Sequence, residues 1–359
     1  MTRVNIRDVA GKAGVSTATV SHVLNGTRFV REETRQRVLA AVEALNYLPS
    51  SIARGLATNS TQTVGLIVSD ITNPFFTAVA RGVEDVINQH GLNTIFCNTD
   101  EDSQREDEYL RLLSARQIDG LIITPTGVPS DRLLHLAEIK TPIVLLDRSA
   151  PNIDAPLVCV DNEGGAYRAT QYLIELGHRR IAVLMGMKNI STLRARVAGY
   201  MRALRDGGLP VDETLIVRAD PRFYGTQNSS SGATVRLATN NQMTPSAYHE
   251  LGKLLDSPER PSAIFVTNNQ MTLGTLYAFK ERGLRCPEDI SLISFDDHDW
   301  APLFTPPLTV VRQPTYRLGQ LAARLLMRLI NGEVIEPPQP IPVELIIRES
   351  CCKLALEMV

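Results

Sequence analysis

From residue 63 onward the sequence repeats a pattern that few folds can satisfy. Short uninterrupted runs of Val, Ile and Leu alternate with helix-length amphipathic segments. The runs are "VGLIVS", "NTIFCN", "DGLIIT", "PIVLLD", "LVCV", "RIAVLM", "AIFVT" and "SLISF". A strand with one wet face alternates apolar and polar residues, whereas an unbroken apolar run is buried on both faces. That is the signature of a parallel sheet covered by helices on either side. So many strands crowd a single sheet, which predicts two similar α/β subdomains. Such pairs hold a ligand in the cleft between the C-terminal edges of their strands. The chain has 359 residues, enough for two or three cores, and its 43% hydrophobic and 21% charged content is that of a soluble globular protein.

The first sixty residues follow a different rule. They carry eight basic side chains (Arg3, Arg7, Lys12, Arg28, Arg31, Arg35, Arg37, Arg54) against four acids (Asp8, Glu32, Glu33, Glu43), although the whole chain has a formal charge of -2. A basic head on an acidic body predicts a polyanionic partner for the head. Ile6, Val9, Ala10 and Ala13 fall at helical spacing, and Val38, Ala41, Val42 and Leu45 repeat it before Pro49. Between them lies "GVSTATVSHVLNG", rich in residue types that prefer strands and turns. A strand would split Val23 from Val20 and Leu24, whereas a helix turns all three toward the flanking apolar faces. Ser16 is a good N-cap, so the stretch is predicted helical. Thr17, Ala18, Ser21, His22 and Asn25 then remain outside. Short hydrogen-bonding groups near a helix N-terminus suit phosphates and base edges, where a merely solvated face carries Lys and Glu. The arrangement predicts a helix-turn-helix, with a small helical interaction module as the alternative.

"IRDVAGKAGVSTATVSHVLNG" followed by "TRQRVLAAVEALNYLPSSIARGL" resembles the DNA-binding head and hinge of the lactose-repressor/galactose-repressor (LacI/GalR) family, and the likeness continues through the body. The resemblance implies that Thr17, Ala18 and His22 read the major groove. It implies phosphate contacts for Ser16, Thr19, Ser21, Asn25, Thr34 and Tyr47. His22 departs from the family, which usually has Arg there. Arg takes guanine bidentately, but each His nitrogen makes one bond, so the base read there stays open. "LPSSIARGLATNS" is too short for a stable isolated helix. The resemblance implies a hinge helix that orders on DNA with Leu56 wedged into the minor groove; Ser50 and Gly55 fit a plain linker instead.

The resemblance further implies a periplasmic-binding-protein-like α/β body with parallel sheets, the chain crossing between subdomains near 161, 296 and 320. The expected domains are a head at 1–49, a hinge at 50–60, an effector-binding and dimerisation domain at 61–350 and a tail at 351–359. Within the body, 61–161 plus 297–320 form one subdomain and 162–296 plus 321–350 the other.

Several residues are expected at the cleft. "SDITNPFF" places Phe75 and Phe76 at a strand-to-helix mouth, where they either stack on a sugar ring or belong to the core. "LDRS" ends a strand with Asp147 and Arg148, again at the cleft edge. In "LRARVAGY" Arg196 matches the family arginine that binds effector hydroxyls or a carboxylate, and in "SFDD" Asp296 matches the effector-binding acid. "TNNQMTLG" keeps Asn268, but Asn269 stands where the family has Asp. These residues supply the donors and acceptors that ligand hydroxyls need; a buried Asp–Arg structural pair is the alternative. The chain departs most from the family near 221–243. There "GTQNSSSG" is turn material, and an added hairpin or long loop beside the cleft is expected to bring Phe223 or the Asn240, Asn241 and Gln242 group to the ligand; a disordered surface excursion is the alternative.

Other chemistries find no support. In "DDHDW" consecutive side chains leave a strand in divergent directions, a poor arrangement for metal ligation. "GMKNIST" lacks the order of a phosphate loop, and no nucleophile has a plausible base. No cofactor and no enzymatic activity are expected. "MTRVNIRDVA" contains no signal peptide, and the five cysteines lack metal-ligand spacing, as suits reduced thiols in the cytoplasm. The tail is too short for tetramer-forming heptads. The sequence therefore predicts a repressor that binds pseudo-palindromic operator DNA as a homodimer, controlled by a sugar-like effector. The alternative is a soluble sugar-binding protein whose head does not bind operator DNA.

Overall fold

The computed structural model describes residues 4–26, 28–47, 60–187, 190–220 and 247–354. Leu56 and nearly all of the expected hinge lie outside these residues, as do Phe223 and the 221–243 departure. The chain forms two compact units, Met1–Thr63 with Leu113–Asp119, and Val64–Leu112 with Gly120–Val359.

Among the described residues of its Met1–Thr63 part, the first unit forms the helices α1 (Ile6–Ala13), α2 (Thr17–Asn25) and α3 (Glu32–Ala44). Asn5 and Asp8 form a capping box at the start of α1, and Gly14 ends it in the left-handed conformation that glycine adopts without strain. Ser16 then caps α2, accepting from Thr19 N at 3.1 Å. The "GVSTATVSHVLNG" stretch is thus helical, as its apolar spacing requires. Val20 is buried with Val9, Ala10, Ala13, Val38 and Ala41, and Val23 and Leu24 pack against them. Burial overrides the poor helix propensity of Thr and Val. Where this unit reaches residue 60, Asp119 accepts from Ser60 Oγ, Thr61 N and Thr63 N at 2.9–3.1 Å.

The second unit holds two sheets. One has strands in the order β2-β1-β3-β4-β5, formed by β1 (Thr63–Val68), β2 (Asn93–Asn98), β3 (Gly120–Ile123), β4 (Ile143–Leu146) and β5 (Leu157–Val158). The other has the order β11-β10-β9-β8-β6-β7. Its strands are β6 (Ile181–Gly186), β7 (Ile216–Ala219), β8 (Ala263–Val266), β9 (Ser291–Phe295), β10 (Thr309–Arg312) and β11 (Glu344–Ile346). β1 with β3, β3 with β4, β4 with β5, β6 with β7 and β8, and β9 with β8 and β10 pair in parallel, whereas β11 is an antiparallel edge on β10. The helices that position the site are α4 (Pro74–Gln89), α5 (Ser103–Ala115), α6 (Asp131–Glu138), α7 (Asn162–Glu175), α8 (Ser191–Asp206), α9 (Ala247–Leu255), α10 (Asn269–Arg282) and α11 (Thr315–Ile330).

The crossings expected near 296 and 320 require correction. β10 pairs with β9 and β11, so residues 309–312 belong to the second sheet. α11 instead packs along α4 and against β3 and β4, placing residues 321–330 with the first sheet. The chain therefore crosses at Gln313–Thr315 and returns before β11. Close helix contact fixes α11 in place: a Cβ on Gly319 would lie 2.0 Å from Val79 O, and one on Gly82 2.2 Å from Tyr316 O. "TVVR" follows directly on the proline-rich "FTPPL" and is followed by another proline, which masks it as a strand.

The second sheet is also tied to the chain's end. His178, 1% exposed, shares hydrogen bonds with Ser262 Oγ (Nδ1, 2.9 Å), Ser291 Oγ (Nε2, 3.0 Å) and Cys352 O (Nε2, 3.1 Å). Burial lowers its pKa below the ordinary 6.5. The folded protein keeps this ring neutral, while the unfolded chain takes up a proton as pH falls through about 6.5. Its contribution to stability is present above that pH and is lost as pH falls toward the folded pKa. His298, also depressed by burial, adds a slope of the same sign. Urea midpoints should therefore fall between about pH 7 and pH 5.5, before most carboxylates titrate. His178→Gln should lower the whole curve and flatten that fall. An unchanged slope in the variant would contradict the assignment.

Candidate functional site

In the first unit the candidate DNA-binding residues cluster at α2. Ser16, Thr17 and Ala18 are exposed at its N-terminus, while Thr19, Ser21, His22 and Asn25 are half-buried along it. Ser16 Oγ and Thr19 Oγ1 lie 2.9 Å apart, and Asn25 Nδ2 donates to Ser21 Oγ at 3.2 Å. Two pairs of polar groups are thus held in fixed orientations on one helix. α2 opens on exposed small side chains, so its N-terminal dipole faces outward without bulk in front of it. Thr34 is half-buried on α3. Tyr47 packs against the apolar core of this unit, so its ring has a structural role whatever its hydroxyl meets.

In the second unit the cleft residues come from strand ends of both sheets. Asp147 follows β4 at φ 67° and Asp296 follows β9 at φ 82°. Left-handed conformations at non-glycine residues are strained, and such strain gathers at ligand clamps. Both carboxylates are buried, and between the subdomains they meet the field of Arg196 on α8. Arg196 is 5% exposed. Its Nε donates to Asn162 Oδ1 at 2.8 Å, its Nη1 to Thr267 O at 2.5 Å, and its guanidinium lies 3.6 Å over the Phe295 ring. Burial lowers its pKa, against the attraction of Asp296 and Asp147. Burial likewise raises the Asp147 pKa, against Arg148 and Arg196. Gly199, one turn beyond Arg196, allows α8 to lie against α7: a Cβ there would be 2.1 Å from Glu163 O.

The residue after Asp147 is part of the same charge system. Burial pulls the Arg148 pKa down, but Glu101 and Asp147 outweigh it and hold it above its ordinary value. Its Nη1 donates to both Glu101 carboxylate oxygens at 3.0 Å. Its Nε also faces Asp147 Oδ2 at 3.4 Å, so Asp147 is shared between Arg148 and Arg196, while Asp296 is the larger of the two attractions on Arg196.

A cavity of about 360 Å³ opens at this edge, lined by Phe75, Asn269, Asp296, His298, Gln313 and neighbouring residues. Phe75 and Phe76 form an edge-to-face pair with centroids 4.9 Å apart; both belong to the core, and Phe75 also lines the cavity. The Asn268 side chain accepts from Met271 N at 2.9 Å, so it caps α10. Its neighbour Asn269 lines the cavity instead. Asn269 Oδ1 and Gln313 Oε1 are both buried without a hydrogen-bond partner, while Gln313 Nε2 donates to Asp296. Buried unsatisfied oxygens of this kind point to a missing donor. Gln313 and Asn162 are not marked by any sequence signal read above, whereas Arg148 is the second charge of "LDRS" and His298 stands in "DDHDW".

Comparison with known proteins agrees with this arrangement. Residues 5–50 match the model of the bacterial regulatory proteins, lacI family. Residues 61–231 match the periplasmic binding proteins and sugar binding domain of the LacI family, and residues 170–351 a periplasmic binding protein-like domain. The chain is 37% identical over 329 residues to the HTH-type transcriptional repressor PurR of Photobacterium profundum, covering 91% of this chain and 92% of that protein. Among solved structures it is similar to a lac repressor dimer bound to operator and the anti-inducer ONPF (TM-score 0.80, 26% identity, 98% of this chain and 100% of that one). It is also similar to the transcriptional regulator CelR in complex with cellobiose (TM-score 0.69, 30% identity, 97% and 100%). The chain belongs to the LacI family of bacterial regulatory proteins, DNA-binding transcriptional repressors under effector control.

Proposed function

We propose that the cavity between the two sheets takes a neutral, sugar-like effector, and that α2 reads a pseudo-palindromic operator as part of a homodimer in the cytoplasm. The observation that carries the effector reading is the pair of unpartnered amide oxygens, Asn269 Oδ1 and Gln313 Oε1, beside Asp296 on one cavity wall. A wall of acceptors asks for a ligand of many donors, and a polyhydroxylated ring provides them. About 360 Å³ is enough for a small sugar, and Phe75 offers an aromatic surface against its C–H face. Asp147 and Arg196 belong to the same charge system as Asp296. Asn268 holds the α10 N-terminus in place, and Phe223 contributes from the departure near 221–243. No helix among the described residues is long and apolar enough to cross a membrane. Catalysis has no part in this reading, since the cavity's groups bind and orient without an activated nucleophile.

On DNA, Thr17, Ala18 and His22 face base edges, Ser16, Thr19, Ser21, Asn25, Thr34 and Tyr47 hold phosphates, and Leu56 wedges into the minor groove. Readout by His22 is the sharpest element of this assignment. His22→Ala should weaken operator binding by about 1–2 kcal/mol, with the loss concentrated at one base pair per half-site. Equal loss on unrelated duplex DNA would make His22 a phosphate contact or a structural residue.

The effector reading is tested by calorimetric titration of the full chain with a panel of neutral sugars and the matching sugar acids. At least one neutral sugar should bind, and Asp296→Ala should weaken it by roughly 1.5–3 kcal/mol, the worth of a hydrogen bond to a charged group. Binding confined to the acids would overturn the reading.

A further inference from the structure

Two neutral amides at the start of α10 reach across the cleft to the segment that joins β1 to α4. Asn269 Nδ2 donates to Asn73 Oδ1 at 2.7 Å. Gln270 Nε2 donates to Asp70 Oδ2 at 2.8 Å, with Thr72 Oγ1 at 3.4 Å. The acceptors are fixed before α10 arrives. Asn73 Oδ1 already caps α4 by accepting from Phe75 N at 3.0 Å. Asp70 Oδ1 accepts from Thr72 N at 2.8 Å and Thr72 Oγ1 at 2.6 Å, which leaves Oδ2 for Gln270. Each acceptor therefore needs a donor from the opposite subdomain, and a carboxylate at 269 or 270 would provide none. Asn269 is 2% exposed and lines the cavity, so its bond lies out of water, where losing a partner costs most.

We propose that Asn269 and Gln270 are positioning residues, a two-bond latch that holds the subdomains shut over the cavity. One bond lies in the cavity wall and the other at its rim. The amide of Asn269 supplies the donor of the inner bond, which a carboxylate there would lack. Ser149 N also donates across the cleft to Ser191 Oγ at 3.1 Å, so loss of the latch leaves a partial tether and the expected change is partial opening. The latch rests on these contacts and not on the identity of the effector.

The test is a distance measurement on the ligand-free full chain, by electron–electron resonance between genetically encoded labels replacing Glu138 and Glu259. These side chains are 74% and 81% exposed, one in each subdomain. The wild type should give one narrow distribution. Gln270→Glu sets a carboxylate against Asp70 and should lengthen and broaden it, as should Asn269→Asp. Adding Asp70→Asn to Gln270→Glu restores a donor and acceptor pair and should recover the wild-type distance. Unchanged distributions in both single variants would overturn the latch. Opening by Gln270→Glu that Asp70→Asn fails to reverse would also overturn it, because α10 itself would then be disturbed. If no sugar binds the cavity, the effector reading fails while this measurement still decides the latch.

Discussion

Arg196 is a guanidinium taken almost wholly out of water, and the arrangement of the cleft follows from meeting that demand. An unpaired buried charge costs several kcal/mol, so every face of the group must be answered. Asn162 and the Thr267 carbonyl take two of its N–H groups, Phe295 covers one face, and Asp147 and Asp296 supply the opposing charge. These partners come from α7, the end of β8, β9 and the end of β4. One side chain therefore draws both subdomains to a common point. Removing either carboxylate changes the charge felt by the rest.

The cavity adds a second layer of neutral polar groups to that charged centre. Amides at Asn269 and Gln313 border it, each with one end engaged and one oxygen unpartnered. Charged pairs set the electrostatic background, and neutral amides decide which donors fit. A binding protein built this way gains selectivity from the groups left unsatisfied, since a ligand lacking the matching donor leaves them so.

Much of this was legible in the sequence because burial leaves a periodic trace. The helical character of "GVSTATVSHVLNG" follows from Val20, Val23 and Leu24, against the preferences of the residues around them. Asp147 was legible as a charge at a strand end, Arg196 and Asp296 through the resemblance to the family, and the structure brings the three into one electrostatic system. What escaped was set by tertiary context. β10 is masked by the prolines on either side of it, so the second crossing was placed before it and Gln313 went unnoticed. Asn268 and Asn269 are adjacent and chemically identical, yet the first caps a helix and the second lines the cavity. Only the direction in which the chain enters α10 separates them.

The central claim is that occupancy of this cleft alters the hold of the head on DNA. The most direct measurement is the operator affinity of the full chain, by fluorescence anisotropy, with and without the sugar that binds best in calorimetry. The account predicts a change of roughly 5–150-fold, the usual range of coupling between two sites, and no change in Asp296→Ala at the same sugar concentration. A sugar that binds the wild type and leaves its operator affinity unchanged would contradict it.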